Sequence, residues 1–390
     1  MFKGRWPFES KPLLIFWETT KACQLACKHC RANAITEPLP GELSTEEAVK
    51  LLEEIAEFGK PSPILVFTGG DPLMRRDFWT LVEYGRSLGL RMAAAPSVTP
   101  LLTKRTMHRL KEKGISSISI SIDSYRREVH DMIRGIPGTL DRSLKALEWA
   151  KEAGLRVQVN TVVMRETVID LPGMVRLLLV KGIKVWEVFY YIPIGRGGRE
   201  SDLTPGEWED VSHFLYEASR YGIMIRTVEG PIFRRVALTR KYYENKGLLD
   251  KLDEDLGELY HKLIGELRSL LGEPVGEAKA HTVGTMDARG IVFVSYDGNI
   301  YPSGFLPLSA GNVKEQSIVE IYRRSLLFST LREKLTGKCG RCEFRSICGG
   351  SRARAYAVTG DPYAEDPACM YEPGSLPSEV IEDIAVPGRA

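Results

Sequence analysis

Along residues 13–192 the chain alternates short β-branched and aromatic runs with longer segments whose apolar residues recur at helical spacing. The runs at 13–17, 63–67, 91–95, 117–122, 157–163 and 185–191 predict strands. In the fourth, Ile118, Ile120 and Ile122 alternate with Ser119 and Ser121, the two-residue period of a pleated strand. Helices are predicted at 78–88, 101–113, 140–153 and 171–181. A further helix is announced by Ser44 and Glu47, a capping box ahead of the apolar stripe Val49, Leu51, Leu52, Ile55 and Phe58. Six strand–helix repeats imply parallel strands with right-handed crossovers, an α/β fold. Six is short of the eight that close a full barrel, so a partial (β/α)6 TIM-like barrel with one open side is expected.

The pattern changes after residue 202. Segments 203–219 and 244–271 are charged and helical, and 203–280 is expected as a helical bridge or lid. Strands resume at 290–295 and 299–302 around Asp297-Gly298, a hairpin turn signal. The expected organisation is a barrel over 1–202, the bridge over 203–280 and a small C-terminal domain over 281–390.

Composition narrows the class. With 390 residues, 43% hydrophobic and 27% charged, the chain reads as a soluble globular protein of more than one domain. A net charge of +2 without basic runs argues against nucleic acid or an anionic membrane surface as partner. No signal peptide or membrane-spanning run is legible, so a cytoplasmic location is expected. The seven cysteines fall at 23, 27 and 30 and at 339, 342, 348 and 369, with none between. Such clustering points to two metal centres rather than a disulfide framework.

The first group, Cys23-Gln24-Leu25-Ala26-Cys27-Lys28-His29-Cys30, directly follows the first strand. Three thiolates on one loop can hold three irons of a cubic iron–sulfur cluster and leave the fourth open for chemistry. Ordinary buried cysteines or part of a zinc site are the alternatives, but no second cysteine pair lies nearby. The four C-terminal thiols are a full set for a second 4Fe–4S cluster or for a four-thiolate zinc site. The second strand runs into Thr68-Gly69-Gly70-Asp71-Pro72, where paired glycines let the backbone approach a ligand closely. Gly195-Arg196-Gly197-Gly198 lacks the spacing and context of a phosphate loop.

Together, Cys23/Cys27/Cys30 and Gly69-Gly70-Asp71-Pro72 resemble the signature of the radical S-adenosylmethionine (SAM) enzymes, with Asp where Glu is commoner. The resemblance implies a 4Fe–4S cluster on the three cysteines, whose open iron chelates SAM. Reductive cleavage then yields methionine and a 5′-deoxyadenosyl radical. It further implies that the backbone at Thr68, Gly69, Gly70 and Asp71 receives the SAM amino group and that His29 packs near the adenine. Ser121 and Asp123 are expected to face SAM and Arg134 to pair with its carboxylate. Asn160, Tyr191 and Ile192 are expected near the ribose and adenine.

Cys339, Cys342, Cys348 and Cys369 resemble the auxiliary 4Fe–4S site of SPASM or twitch domains, and Ser303 stands where many SPASM domains carry a cysteine. One auxiliary cluster is therefore expected. The block 348–367 resembles the heme-maturing branch of these enzymes. That implies a tetrapyrrole-like small molecule as substrate, hydrogen abstraction from an unactivated carbon, and an auxiliary cluster that accepts an electron. A peptide substrate, as for peptide maturases, is the second possibility, and a non-enzymatic iron–sulfur or zinc protein the third. A low-potential donor such as ferredoxin or flavodoxin is expected as partner. Arg352 and Arg354 are open to either a propionate-binding or a structural reading, and Glu187, Tyr190 and Tyr191 leave the sixth strand near the expected site.

Overall fold

The computed structural model describes residues 6–282 and 284–384. Its strands are β1 (Leu14–Glu18), β2 (Ile64–Thr68), β3 (Arg91–Ala94), β4 (Ile115–Ser121), β5 (Arg156–Val163), β6 (Val185–Tyr190), β7 (Met224–Val228), β8 (Ile291–Val294) and β9 (Ile300–Tyr301). They form one sheet in the order β7-β6-β5-β4-β3-β2-β1-β8-β9. Every pairing is parallel except β8 with β9. The hairpin at Gly298 behaves as its sequence predicts, with Val294 opposite Ile300.

The strands curl. A single cavity is lined by Phe16, Val66, Ala93, Ser119, Asn160, Phe189, Val228 and Phe293, one residue from each of the eight parallel strands. Only a sheet wrapped into a partial barrel can present all of these to one space. The opposite faces, including Ile15, Trp17, Leu65, Phe67, Val159 and Val188, are fully buried. They pack beneath the helices; Trp17 meets Phe67 at 5.8 Å between ring centroids, and Phe67 meets Phe78 at 5.5 Å. The helix Thr45–Ala56 starts as read, with both halves of the Ser44–Glu47 capping box formed.

Two departures bear on the site. The expected helical bridge over 203–280 contains a strand: β7 extends the barrel edge beside β6, with Glu187 opposite Arg226. Its run Ile223–Val228 is β-branched but short, and lies between the strongly helical segments Pro205–Ser219 and Ile232–Asn245. The helical pattern expected over 244–271 is likewise broken, into Ile232–Asn245, Leu249–Glu254 and Glu258–Leu271. The second departure is β8, which pairs with β1 from Leu14↔Ile291 to Trp17↔Val294. The strand pairing thus crosses the boundary expected near residue 280, and the C-terminal segment completes one side of the barrel.

Candidate functional site at the C-terminal ends of the strands

β1 and β2 pair in register from Leu14↔Ile64 to Glu18↔Thr68, so the loops that follow them emerge side by side. The backbone N–H of Gly70 donates to Thr20 O (2.8 Å) and that of Asp71 to Ala22 O (2.7 Å). A β-carbon on Gly70 would lie 2.3 Å from Ala22 O, and one on Gly69 2.4 Å from Thr20 O. The paired glycines therefore seat the cysteine loop as well as line the cavity beside it. Further along that loop, Lys28 N–H donates to Ile133 O (2.8 Å) and Arg196 N–H to Cys30 O (3.1 Å).

All three thiols of this loop are free and line a second cavity of about 240 Å³. The Cys23 sulfur lies 3.3 Å from Ser97 Oγ, which donates to Gly70 O at 2.7 Å. Leu25 N–H points at Cys23 Sγ and Ala34 N–H at Cys30 Sγ, each at 3.4 Å. Burial raises the Cys23 and Cys27 thiols above their ordinary range. Desolvated sulfurs that receive N–H donors suit metal-bound thiolates better than free ones.

The same cavity is lined by His29, Thr68, Gly69, Gly70, Ser121, Asp123, Arg134, Asn160, Tyr191 and Ile192. Asp71 stands apart from it. It is fully buried behind the loop, its carboxylate accepting from Leu73 N–H (3.2 Å) and Thr99 Oγ1 (2.8 Å). Burial pushes its carboxyl up to about 6. Its side chain therefore caps the short helical turn Pro72–Met74.

Asp123 and Arg134 sit together, Asp123 Oδ2 being 2.7 Å from Arg134 Nη2. Burial opposes the charge on Asp123, yet the Arg134 guanidinium holds its carboxyl below the usual range. Val162 N–H also donates to Asp123 Oδ1 at 3.0 Å. Arg134 Nη1 reaches Cys27 Sγ at 3.8 Å, so this ion pair bridges the strand ends to the thiol loop. Burial lowers the imidazole of His29 to about 4, and its Nδ1 is buried without a hydrogen-bond partner. A neutral ring with an unmet polar atom in this cavity fits a heteroaromatic ligand group. Asn160 accepts from Gln158 at 2.8 Å, and the Tyr191 hydroxyl donates to Gly198 O at 2.9 Å. Tyr190 is turned outward: its hydroxyl meets Ser212 at 2.8 Å and its ring stacks on Trp208 at 4.4 Å.

Comparison with known proteins agrees with this geometry. The Radical SAM superfamily profile matches residues 17–178 and the iron–sulfur cluster-binding SPASM profile matches residues 287–343. An AdoMet-dependent heme synthase of Oleidesulfovibrio alaskensis is 36% identical over 94% of this chain and 89% of its own. The chain belongs to the radical SAM superfamily. An Fe-coproporphyrin III synthase of Methanosarcina barkeri is 32% identical to this radical SAM enzyme over 93% of the chain and 88% of its own length. Among solved structures, Streptococcus suis SuiB bound to S-adenosylmethionine aligns with a TM-score of 0.65 and 15% identity. That match covers 93% of this chain and 78% of SuiB and shows the shared fold. The cofactors of this radical SAM enzyme are accordingly a 4Fe–4S cluster with SAM and an auxiliary iron–sulfur cluster.

The four C-terminal thiols gather round one small cavity with Arg235 and Lys338. Burial pushes Cys369 up to about 11 and raises Cys348 further. Arg235, buried and paired with Glu209 at 2.6 Å, offsets charge at Cys369 and Cys348, and Arg352 Nη2 lies 3.6 Å from Cys339 Sγ.

Sequence reasoning missed several residues here. Arg31 pairs with Glu18 (2.7 Å) beneath the thiol loop and stacks over Phe293 of β8 at 4.5 Å. Ser97 follows β3 at the height where β1 and β2 deliver their loops, which was its one available signal. Glu229, directly after β7, adopts a φ of +55° and accepts from the hydroxyls of Ser303 (3.2 Å) and Ser351 (2.5 Å). Burial, and then the neighbouring Asp287 carboxylate, raise its carboxyl far above the usual range. The open question on Arg352 and Arg354 resolves as structural. Arg352 donates to Pro362 O and Ala364 O and turns Nη2 to Cys339 Sγ at 3.6 Å, and Arg354 donates to both oxygens of Asp202 and to Tyr191 O.

Proposed function

We propose that this enzyme oxidatively decarboxylates the propionate side chain of a tetrapyrrole, within heme maturation. Cys23, Cys27 and Cys30 hold the SAM-binding cluster in this reading, and Cys339, Cys342, Cys348 and Cys369 the auxiliary one. When bound, the first cluster and SAM supply the 5′-deoxyadenosyl radical. The cavity beside the thiol triad then has to hold SAM, with Arg134 and His29 in its wall and backbone at Thr68–Gly70 along one side.

The observation that carries this reading is the junction of the two cavities. The barrel cavity of about 350 Å³ shares Arg31, Thr68, Asn160, Phe189 and Phe305 with the thiol cavity and extends to Cys348 at its other end. A substrate seated there has the hydrogen-abstracting centre on one side and an electron acceptor on the other. Conversion of a propionate to a vinyl group requires this pair. A hydrogen atom leaves to the adenosyl radical, carbon dioxide departs, and one electron remains to be taken up. A low-potential carrier such as ferredoxin or flavodoxin provides the electron that starts each turnover. The similarity to heme and Fe-coproporphyrin III synthases supports the substrate class.

The test is anaerobic incubation of the reconstituted enzyme with SAM, dithionite and Fe-coproporphyrin III, read by mass spectrometry. Loss of one carbon dioxide and two hydrogens per reacted side chain is expected. An unchanged porphyrin beside continuing 5′-deoxyadenosine formation would overturn the substrate assignment.

A further inference from the structure

We infer that Arg226, on the strand that the six expected ones do not include, anchors a carboxylate of the substrate inside the barrel cavity. The inference rests on the tetrapyrrole reading and assigns a residue to it. Arg226 projects from β7 into the 350 Å³ cavity. The other two arginines of that cavity are committed elsewhere. Arg31 is paired with Glu18 at 2.7 Å, and Arg234 donates to Ile347 O (3.1 Å) and Thr285 O (2.6 Å). Among the described residues Arg226 forms no ion pair. Its Nε is buried without a hydrogen-bond partner, and its one polar contact is the Met224 thioether at 3.6 Å. A half-buried guanidinium whose Nε is shielded from water and unpaired costs free energy that a bidentate carboxylate restores.

The neighbouring charge has to be considered. Glu187 lies opposite Arg226 on β6, but its carboxylate is engaged by the Gln158 amide, and burial raises its carboxyl above the usual range. The Arg226 guanidinium acts against that rise, yet among the described residues no hydrogen bond or ion pair joins the two side chains, so the Arg226 fork stays open toward the cavity. The register supplies a distance. Asn160 on β5 lies opposite Glu187, which lies opposite Arg226. Two strand spacings, about 10 Å, separate Arg226 from Asn160 at the border with the thiol cavity. A flat, rigid, apolar molecule with carboxylates on its rim spans that interval, with one carboxylate on Arg226 and another side chain presented toward the thiol triad. The walls of Phe16, Val66 and Phe293 accept its apolar faces.

Equilibrium titration of the anaerobically reconstituted holoenzyme with Fe-coproporphyrin III tests the inference. Wild type, Arg226→Gln and Arg226→Lys are compared, together with wild-type binding of the fully esterified porphyrin. The expected result is at least tenfold weaker binding to R226Q, partial recovery in R226K, and a similar loss when wild type meets the ester. Equal affinities of R226Q and wild type, or equal affinities for acid and ester, would overturn the role of Arg226 while leaving the tetrapyrrole reading intact. A wild-type enzyme that binds neither porphyrin overturns both. Should R226Q fail to fold, the R226K comparison with wild type decides the role of Arg226, and wild-type affinity in R226K overturns it.

Discussion

Gly195 approaches Cys30 so closely that a β-carbon on it would stand 2.3 Å from the Cys30 carbonyl oxygen. Its φ of +64° adds a second demand for glycine. The segment 195–198 is thus a buttress, through which the chain leaving β6 presses the end of the thiol loop into place. Replacement of Gly195 by Ala should cost about 2 kcal/mol or more, from the left-handed backbone alone and then from the clash. Iron bound at the N-terminal thiols should fall with it. Iron analysis and the melting temperature of the reconstituted variant check this; wild-type values for both would show that the close approach is dispensable.

The two thiol groups should separate functionally. Reconstituted wild type is expected to carry about eight irons per chain, and Cys27→Ala or Cys348→Ala about four. Cys27→Ala should form no 5′-deoxyadenosine, whereas Cys348→Ala should still form it and lose the decarboxylated product. Formation of the nucleoside by the Cys27 variant at wild-type rates would remove the first thiol group from the reaction.

Asp71 makes a pH-dependent contribution whose sign follows from its burial. Its carboxyl is raised from 3.8 to about 6 in the folded chain, so folding favours the protonated form. The contribution is full below pH 3.8 and is lost as the pH rises through about 6. The amount is on the order of 3 kcal/mol. Asp71→Asn retains an acceptor for Leu73 N–H and offers Thr99 a donor in place of an acceptor. Its stability should therefore vary less than that of wild type between pH 4 and 6. Parallel melting curves for the two proteins across that window would contradict this account.

Arg354 ties the C-terminal segment to the barrel exit through Asp202 (2.9 Å) and Tyr191 O (2.7 Å). Its side chain is only 2% exposed, and loss of one partner strands the other. Arg354→Met should destabilise the protein by about 3 kcal/mol. Porphyrin affinity measured on the folded fraction should stay within about twofold of wild type, because Arg354 does not line the barrel cavity. A selective loss of affinity at unchanged stability would instead make Arg354 a substrate contact.

The parts legible in the sequence are those written in neighbouring residues. Ser44 and Glu47 are three apart and cap the helix that they precede; Cys23, Cys27 and Cys30 share one loop; Ile118 to Ile122 alternate within one strand. Each such pattern is satisfied within a turn or a strand and needs no distant partner. The ordinary β/α alternation adds the parallel order, since a crossover helix leaves few alternatives.

Other features depend on which distant segments meet. β7 was hidden because a five-residue strand between two long helices has little local signal until β6 offers it an edge. β8 joins β1 across nearly three hundred residues of chain, a pairing that neither segment encodes alone. Whether an arginine is structural or free for a ligand is decided the same way: Arg352 and Arg354 meet carbonyls and Asp202, while Arg226 meets a cavity. The sequence by itself determined the thiol triad, its glycine-rich neighbour and the repeating β/α units, because these are short-range patterns. Tertiary structure alone decided how Gly70 and Gly195 clamp the triad and which guanidinium faces the space beside it, because those contacts exist only after the sheet has curled.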